Sequence, residues 1–177
     1  LAQFSDHLAT AFSRQRGAAT ERLLTIANAG GEAAQPKKPL WQRQAGATLL
    51  ELPAITSWPQ ETRPYWTLPL VISRDPHSGE QNPGLYRIQL IDQRHAAINI
   101  QPGSGAGQHV AKGAQLGQAL PVAVVFGADL ALSWLAAAPL PPGCDEYRLF
   151  AQLFAEALPL SAGLTQNLTL PGEAEFV

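Results

Sequence analysis

Phe4, Leu8, Ala11 and Phe12 recur at helical spacing, and Leu23, Leu24 and Ile26 follow after Gly17, so residues 1 to 28 read as helical. Gly30-Gly31 ends that region, and Pro36 to Pro39, with Lys37 and Lys38, reads as an exposed linker. From Leu49 the pattern changes to strands and turns. Thr67 to Ser73 is a β-type run, and Asp75-Pro76-His77-Ser78-Gly79 is a turn signal. Leu85 to Ile91 and Ala97 to Gln101 read as the two strands of a hairpin joined by the polar stretch Asp92 to His95. A glycine-rich loop, Gly103-Ser104-Gly105-Ala106-Gly107, leads into a short helix predicted to run to Gln118. Val122 to Phe126 is a continuous apolar run, the pattern of a strand buried on both faces. Asp129 stands where it would cap a helix ending before Pro139. Asp145 would cap another that carries Leu149, Phe150, Leu153, Phe154 and Ala157 on one face. Leu164 to Leu170 reads as a late strand and Glu175-Phe176-Val177 as the start of another.

Strands interleaved with short helices, including a hairpin, predict an α+β fold on an antiparallel sheet or barrel and not a doubly wound parallel sheet. The switch in pattern divides the chain into a helical connector and linker over residues 1–45 and a domain over 46–177. A length of 177 residues suits one domain with a sizeable core. Apolar residues make up 46% and charged residues only 15%, so much of the surface is expected to be covered, by a partner subunit or by a further domain. The net charge of −2 comes without a basic run, which removes nucleic acid as a partner. Asp129, Pro139 and Pro141-Pro142 interrupt the apolar stretches, and none approaches the ~20 residues of a membrane span. Cys144 is the single cysteine, which excludes an internal disulfide framework and favours a reducing cytoplasm. The start at Leu1, the lack of any Met and the stop within a strand pattern read as a piece of a longer chain.

Chemistry has few candidate places. In a strand, Leu85, Arg87, Gln89 and Ile91 share one face and Tyr86, Ile88 and Leu90 the other. Both faces carry apolar residues, so Arg87 is expected partly buried and in need of a carboxylate or phosphate partner. A structural ion pair, or a side chain snorkelling to solvent, is the plainer account. Glu146 follows Asp145 at a helix start, where the macrodipole alone favours acids. His7, His77 and His95 read as solvated. His109 follows the glycine loop at a helix start, where backbone N–H groups hold phosphate, although the glycine spacing is not that of a dinucleotide fingerprint. HExxH, CxxC, Walker and nucleophile-elbow motifs are absent from the sequence. Nothing local activates Cys144, so an inert thiol is expected.

An ordered series of short segments adds to this reading. Leu52-Pro53-Ala54-Ile55-Thr56-Ser57-Trp58-Pro59 leads into Thr67-Leu68-Pro69-Leu70-Val71-Ile72-Ser73-Arg74-Asp75-Pro76. Then come Gln81-Asn82-Pro83-Gly84-Leu85-Tyr86-Arg87-Ile88-Gln89 and Leu120-Pro121-Val122-Ala123-Val124-Val125-Phe126-Gly127-Ala128-Asp129. Pro139-Leu140-Pro141, Asp145-Glu146-Tyr147 and Leu170-Pro171-Gly172-Glu173-Ala174-Glu175 complete it. Over residues 50 to 177 the series resembles the UbiD family of reversible decarboxylases.

The resemblance implies a split β-barrel like that of flavin reductases. It also implies a carboxy-lyase acting on an aromatic or α,β-unsaturated acid with prenylated FMN. In that family the cofactor phosphate is tied down by a divalent metal, usually Mn2+, and by K+. The metal ligands are an Asn, a His and a Glu, which map to Asn82, His109 and Glu146. The catalytic Arg maps to Arg87, and Thr67 and Gln89 join Asn82 and His109 as cofactor-binding positions. At the metal His an ungapped alignment places Gly103 or Ser104, so either the glycine loop is an insertion or the metal site is altered. The family's catalytic glutamates come after the point where this chain stops, which implies that the isolated chain is inactive. A homo-oligomer is the expected assembly. The alternative is a non-catalytic flavin-binding or oligomerisation module on the same barrel.

Overall fold

The computed structural model describes Thr25, residues 44–154 and residues 157–177. Apart from Thr25, which is helical, the connector expected over residues 1–28 lies outside the described residues. A 3-10 turn, Leu49–Glu51, opens the described fold, closed by a reciprocal box between Thr48 and Glu51. The elements that follow are β1 (Tyr65–Trp66), β2 (Leu70–Arg74), β3 (Gln81–Leu85), β4 (Ile88–Leu90), β5 (Ala96–Ile98), α1 (Gly105–Gln115), β6 (Val122–Val125), α2 (Leu130–Ala137), α3 (Glu146–Phe154), β7 (Leu160–Ala162) and β8 (Thr169–Pro171).

Every strand pair is antiparallel, as the α+β expectation requires. The strands form three small sheets, ordered β1-β4-β5, β3-β2-β6 and β7-β8. Among the described residues they do not close into a barrel. The turn signal at Asp75 is the loop of the β2–β3 hairpin. Asp75 Oδ1 accepts from the N–H groups of His77 and Ser78, and Gly79, at φ +77°, closes the loop onto the Asp75 carbonyl. The expected hairpin across Asp92 to His95 is also present, as β4 and β5.

Three expectations change. The strand drawn from Leu85 to Ile91 is two strands in two sheets. The chain leaves β2 after Leu85 and joins β1 and β5 at Ile88. Tyr86, Ile88 and Leu90 are buried as the alternation demands, but Arg87 is exposed at the crossing. The strand drawn from Leu164 to Leu170 is instead the second half of a hairpin. Gly163 donates to the Leu168 carbonyl at 2.8 Å, so β7 and β8 flank a turn. The run at Val122 forms β6, an edge strand with Val125 buried and the rest half-buried, because only β2 pairs with it.

Two apolar cores flank β2. Leu70 and Ile72 join Leu132 and Leu135 of α2, Leu149 and Phe150 of α3, and the β7–β8 hairpin. Val71, on the other face, joins Trp66, Tyr86, Ile88, Leu90 and Ala106 of α1. Asp129 caps α2 and Asp145 caps the start of α3, as expected from their positions. Ala157 lies beyond α3 and is exposed, and α1 ends at Gln115, with Gly117 at φ +63°. Phe176 bridges to Phe126, so the apolar end of the chain is tied to the edge of the β6 sheet.

Candidate functional site

The site is built where α1 crosses the β2–β3 hairpin. Ser73 and Asn82 are cross-strand partners, so their side chains share one face. Gly105 and His109 lie one turn apart on α1 and face that patch. A polar cleft of about 1020 Å³ opens beside it, lined by Asn82, Arg87, Gly103, Gly105, His109 and Glu146 among others.

Asn82 and Glu146, 64 positions apart in the chain, meet directly: the Asn82 amide donates to Glu146 Oε1 at 3.0 Å. Glu146 is buried at the first turn of α3. Burial, reinforced by the neighbouring Asp145 charge, pushes its carboxyl up to about 8 against the pull of its hydrogen bonds. Asn82 Oδ1 is buried with no hydrogen-bond partner. An added Cβ at Gly105 would lie 2.2 Å from that oxygen, so only glycine leaves it room. An acceptor without a donor beside a buried carboxylate suits one hard cation with oxygen ligands. Among the described residues, no three His, Cys, Asp or Glu side chains converge on a metal position.

His109 is held differently. Its Nδ1 lies 2.9 Å from Ser73 Oγ, and its Nε2 faces Asp75 Oδ2 at 3.9 Å. Burial lowers its pKa, with Asp75 pulling the other way, which favours the neutral ring. Lys112, also on α1, pairs with the same Asp75 oxygen. That bond is the main reason the Asp75 carboxyl falls to about 2. A depressed carboxylate stabilises the fold above its unfolded pKa and loses that contribution as pH falls through the folded value. Asp75→Asn keeps the turn acceptor and removes the charge. It should cost about 1–2 kcal/mol at pH 7, discounted for the exposed Lys112. In urea titrations between pH 7 and 2, the stability difference between wild type and variant should shrink from about pH 4 downward.

Arg87 sits in a bracket that the sequence did not announce. Its guanidinium pairs with Glu61 and stacks over the Tyr65 ring, 3.6 Å from the centroid. Burial works against the Glu61 charge, but the N–H groups of Ser57 and Trp58 and the Arg87 cation together hold its pKa down. Tyr65 is fixed by its hydroxyl, which accepts from Gln89 at 2.8 Å. Gln89 is thereby committed to β1, and Thr67 is exposed between β1 and β2; neither lines the cleft. Cys144 does line it, and burial pushes its thiol up to about 11, which disfavours the reactive thiolate.

Residues 31–177 match the UbiD family, described as the 3-octaprenyl-4-hydroxybenzoate carboxy-lyase Rift-related domain. An uncharacterized protein of Aquifex aeolicus is 41% identical over 129 residues, covering 72% of this chain and 26% of that protein. A Chlamydia pneumoniae protein, named as one of the subunits of a 4-hydroxybenzoate decarboxylase, is 36% identical over 107 residues, 60% of this chain and 18% of that one. The UbiD-class enzyme HmfF from Pelotomaculum thermopropionicum, solved with FMN, superposes with a TM-score of 0.76 at 24% identity, over 88% of this chain and 36% of that chain. An evolved dimeric form of HmfF, solved with prenylated FMN, gives 0.71 at 26% identity, over 88% and 38%. The chain spans about a quarter of the length of the curated relatives it matches most strongly.

Proposed function

Because this chain belongs to the UbiD family, we propose that it is the cofactor-binding part of a carboxy-lyase. The parent protein would remove carbon dioxide from an aromatic or α,β-unsaturated carboxylic acid with prenylated FMN. The observation that carries this reading is the convergence of Asn82, Arg87 and Glu146 on one polar cleft. The three sheets would form part of a split barrel over residues 46–177, with residues 1–45 as its connector. A homo-oligomer is the proposed assembly. Among the described residues no helix is long and apolar enough to cross a membrane.

Prenylated FMN, when bound, supplies the electron sink for the loss of carbon dioxide. Arg87 would orient the substrate carboxylate through charge-assisted hydrogen bonds from the guanidinium edges that Glu61 leaves open. Asn82 and Glu146 would hold a divalent cation, Mn2+ in this reading, against the cofactor phosphate, with K+ beside it. Thr67, Gln89 and His109 remain cofactor contacts in the proposal, Thr67 and Gln89 only for parts of the flavin beyond the cleft. The proton for the product would come from a glutamic acid of the parent outside this chain.

The test is carbon dioxide release by the intact parent, loaded with prenylated FMN and offered a panel of aromatic and α,β-unsaturated acids. Turnover of at least one acid is expected. The 177-residue chain, assayed alongside, should release none, since a positioned acid is worth about 10²–10⁴ in rate. A loaded parent that turns over no acid would favour the binding or oligomerisation module instead.

A further inference from the structure

Resting on the reading of this cleft as a cofactor site, we propose that its divalent cation is held by protein oxygens alone. Asn82 Oδ1 and the Glu146 carboxylate are the ligands, and His109 stands outside the coordination shell. Among the described residues, Asn82 Oδ1 is the one buried side-chain acceptor without a partner, and it lies where Gly105 has no Cβ to displace it. Its amide nitrogen is already spent on Glu146, which fixes the orientation of the amide and brings the two residues side by side.

Among the described residues, the nearby side chains of His109, Ser104 and Asp145 are engaged elsewhere. His109 Nδ1 is on Ser73, and its Nε2 faces Asp75, whose carboxylate carries the Lys112 ammonium. A divalent ion on that nitrogen would sit beside a fixed positive charge. Ser104 Oγ donates to the Gln101 carbonyl and accepts from Gly107, and Gly103 has no side chain. The Asp145 carboxylate caps α3 through Oδ1 and pairs with Arg148 through Oδ2. The Asn82 and Glu146 oxygens are the ligands this part of the chain offers, with the other positions open to phosphate and water. Such a set suits Mg2+ and Mn2+ and forgoes the imidazole that favours Zn2+.

The experiment uses the intact parent, freed of metal and labelled with 15N-histidine. Mn2+ is titrated in and followed by electron paramagnetic resonance, and the bound ion is then read by electron spin echo modulation. One Mn2+ site is expected, displaceable by Mg2+ and with no 15N coupling from histidine. Asn82→Ala and Glu146→Gln should each weaken it about tenfold or more. A histidine 15N coupling in the wild-type protein overturns the oxygen-only set, whether or not the variants fold. Equal affinity in wild type, N82A and E146Q removes the site altogether. A parent with the expected Mn2+ spectrum that releases no carbon dioxide leaves the ligand set standing and sinks the reading of function.

Discussion

Replacing Arg87 by alanine in the intact parent is expected to cut turnover by about 10²-fold or more, as misplacement of a reacting group does, while the flavin stays bound. The separation of the two effects follows from where Arg87 sits. Its partners are Glu61 and the Tyr65 ring, on the β1–β4 side of the cleft, whereas the candidate cation ligands Asn82 and Glu146 hydrogen-bond each other. The side chain is 46% exposed, so losing it and its ion pair should cost the fold little. Arg87→Lys keeps the charge but loses the planar fork, and it should recover only part of the rate. Turnover and flavin absorbance after gel filtration are measured on one preparation. Unchanged turnover in R87A would refute the catalytic assignment. Flavin lost together with activity would make Arg87 a cofactor or folding residue.

Much of the fold was legible because its signals are local. The Asp75 turn, the Asp129 and Asp145 caps and the β4–β5 hairpin each depend on a few consecutive residues, and each is present. The break between β3 and β4 was not legible. The alternation Tyr86, Ile88, Leu90 fits one long strand as well as a strand that changes sheets, and only the choice of partner separates them. Leu164 misled for a related reason: it is an exposed turn residue that extends the apolar pattern of β8 backwards. At the site, Asn82 and Glu146 were paired through ordered motifs that resemble a family, since no periodicity links positions 64 apart. Glu61 and Tyr65 left no such trace. Their role depends on a loop folding back to meet Arg87, and an acid 26 residues away looks like any surface glutamate. His109 was visible as a helix-start histidine, but its commitment to Ser73 and Asp75 depends on how α1 packs on the β2–β3 hairpin.

The same packing makes Gly105 a sensitive position. Gly105→Ala adds one methyl group at the start of α1, where helix propensity alone would favour the change. Its Cβ, however, would stand 2.2 Å from Asn82 Oδ1 and 2.5 Å from Asn82 Cγ, closer than atoms approach. Asn82 must then swing away, and its bond to Glu146 goes with it. That leaves a buried carboxyl with its side-chain partner gone, a change worth about 1–3 kcal/mol. Gly103→Ala is the control, because nothing lies within 4 Å of its added methyl. In the intact parent G105A should lose Mn2+ affinity about tenfold or more, comparable to removing a ligand or its immediate support, and retain less flavin after gel filtration. G103A should match wild type in both. Wild-type Mn2+ affinity in G105A would mean that Asn82 can leave its place without consequence, and the cation would have to be held by other residues of the parent.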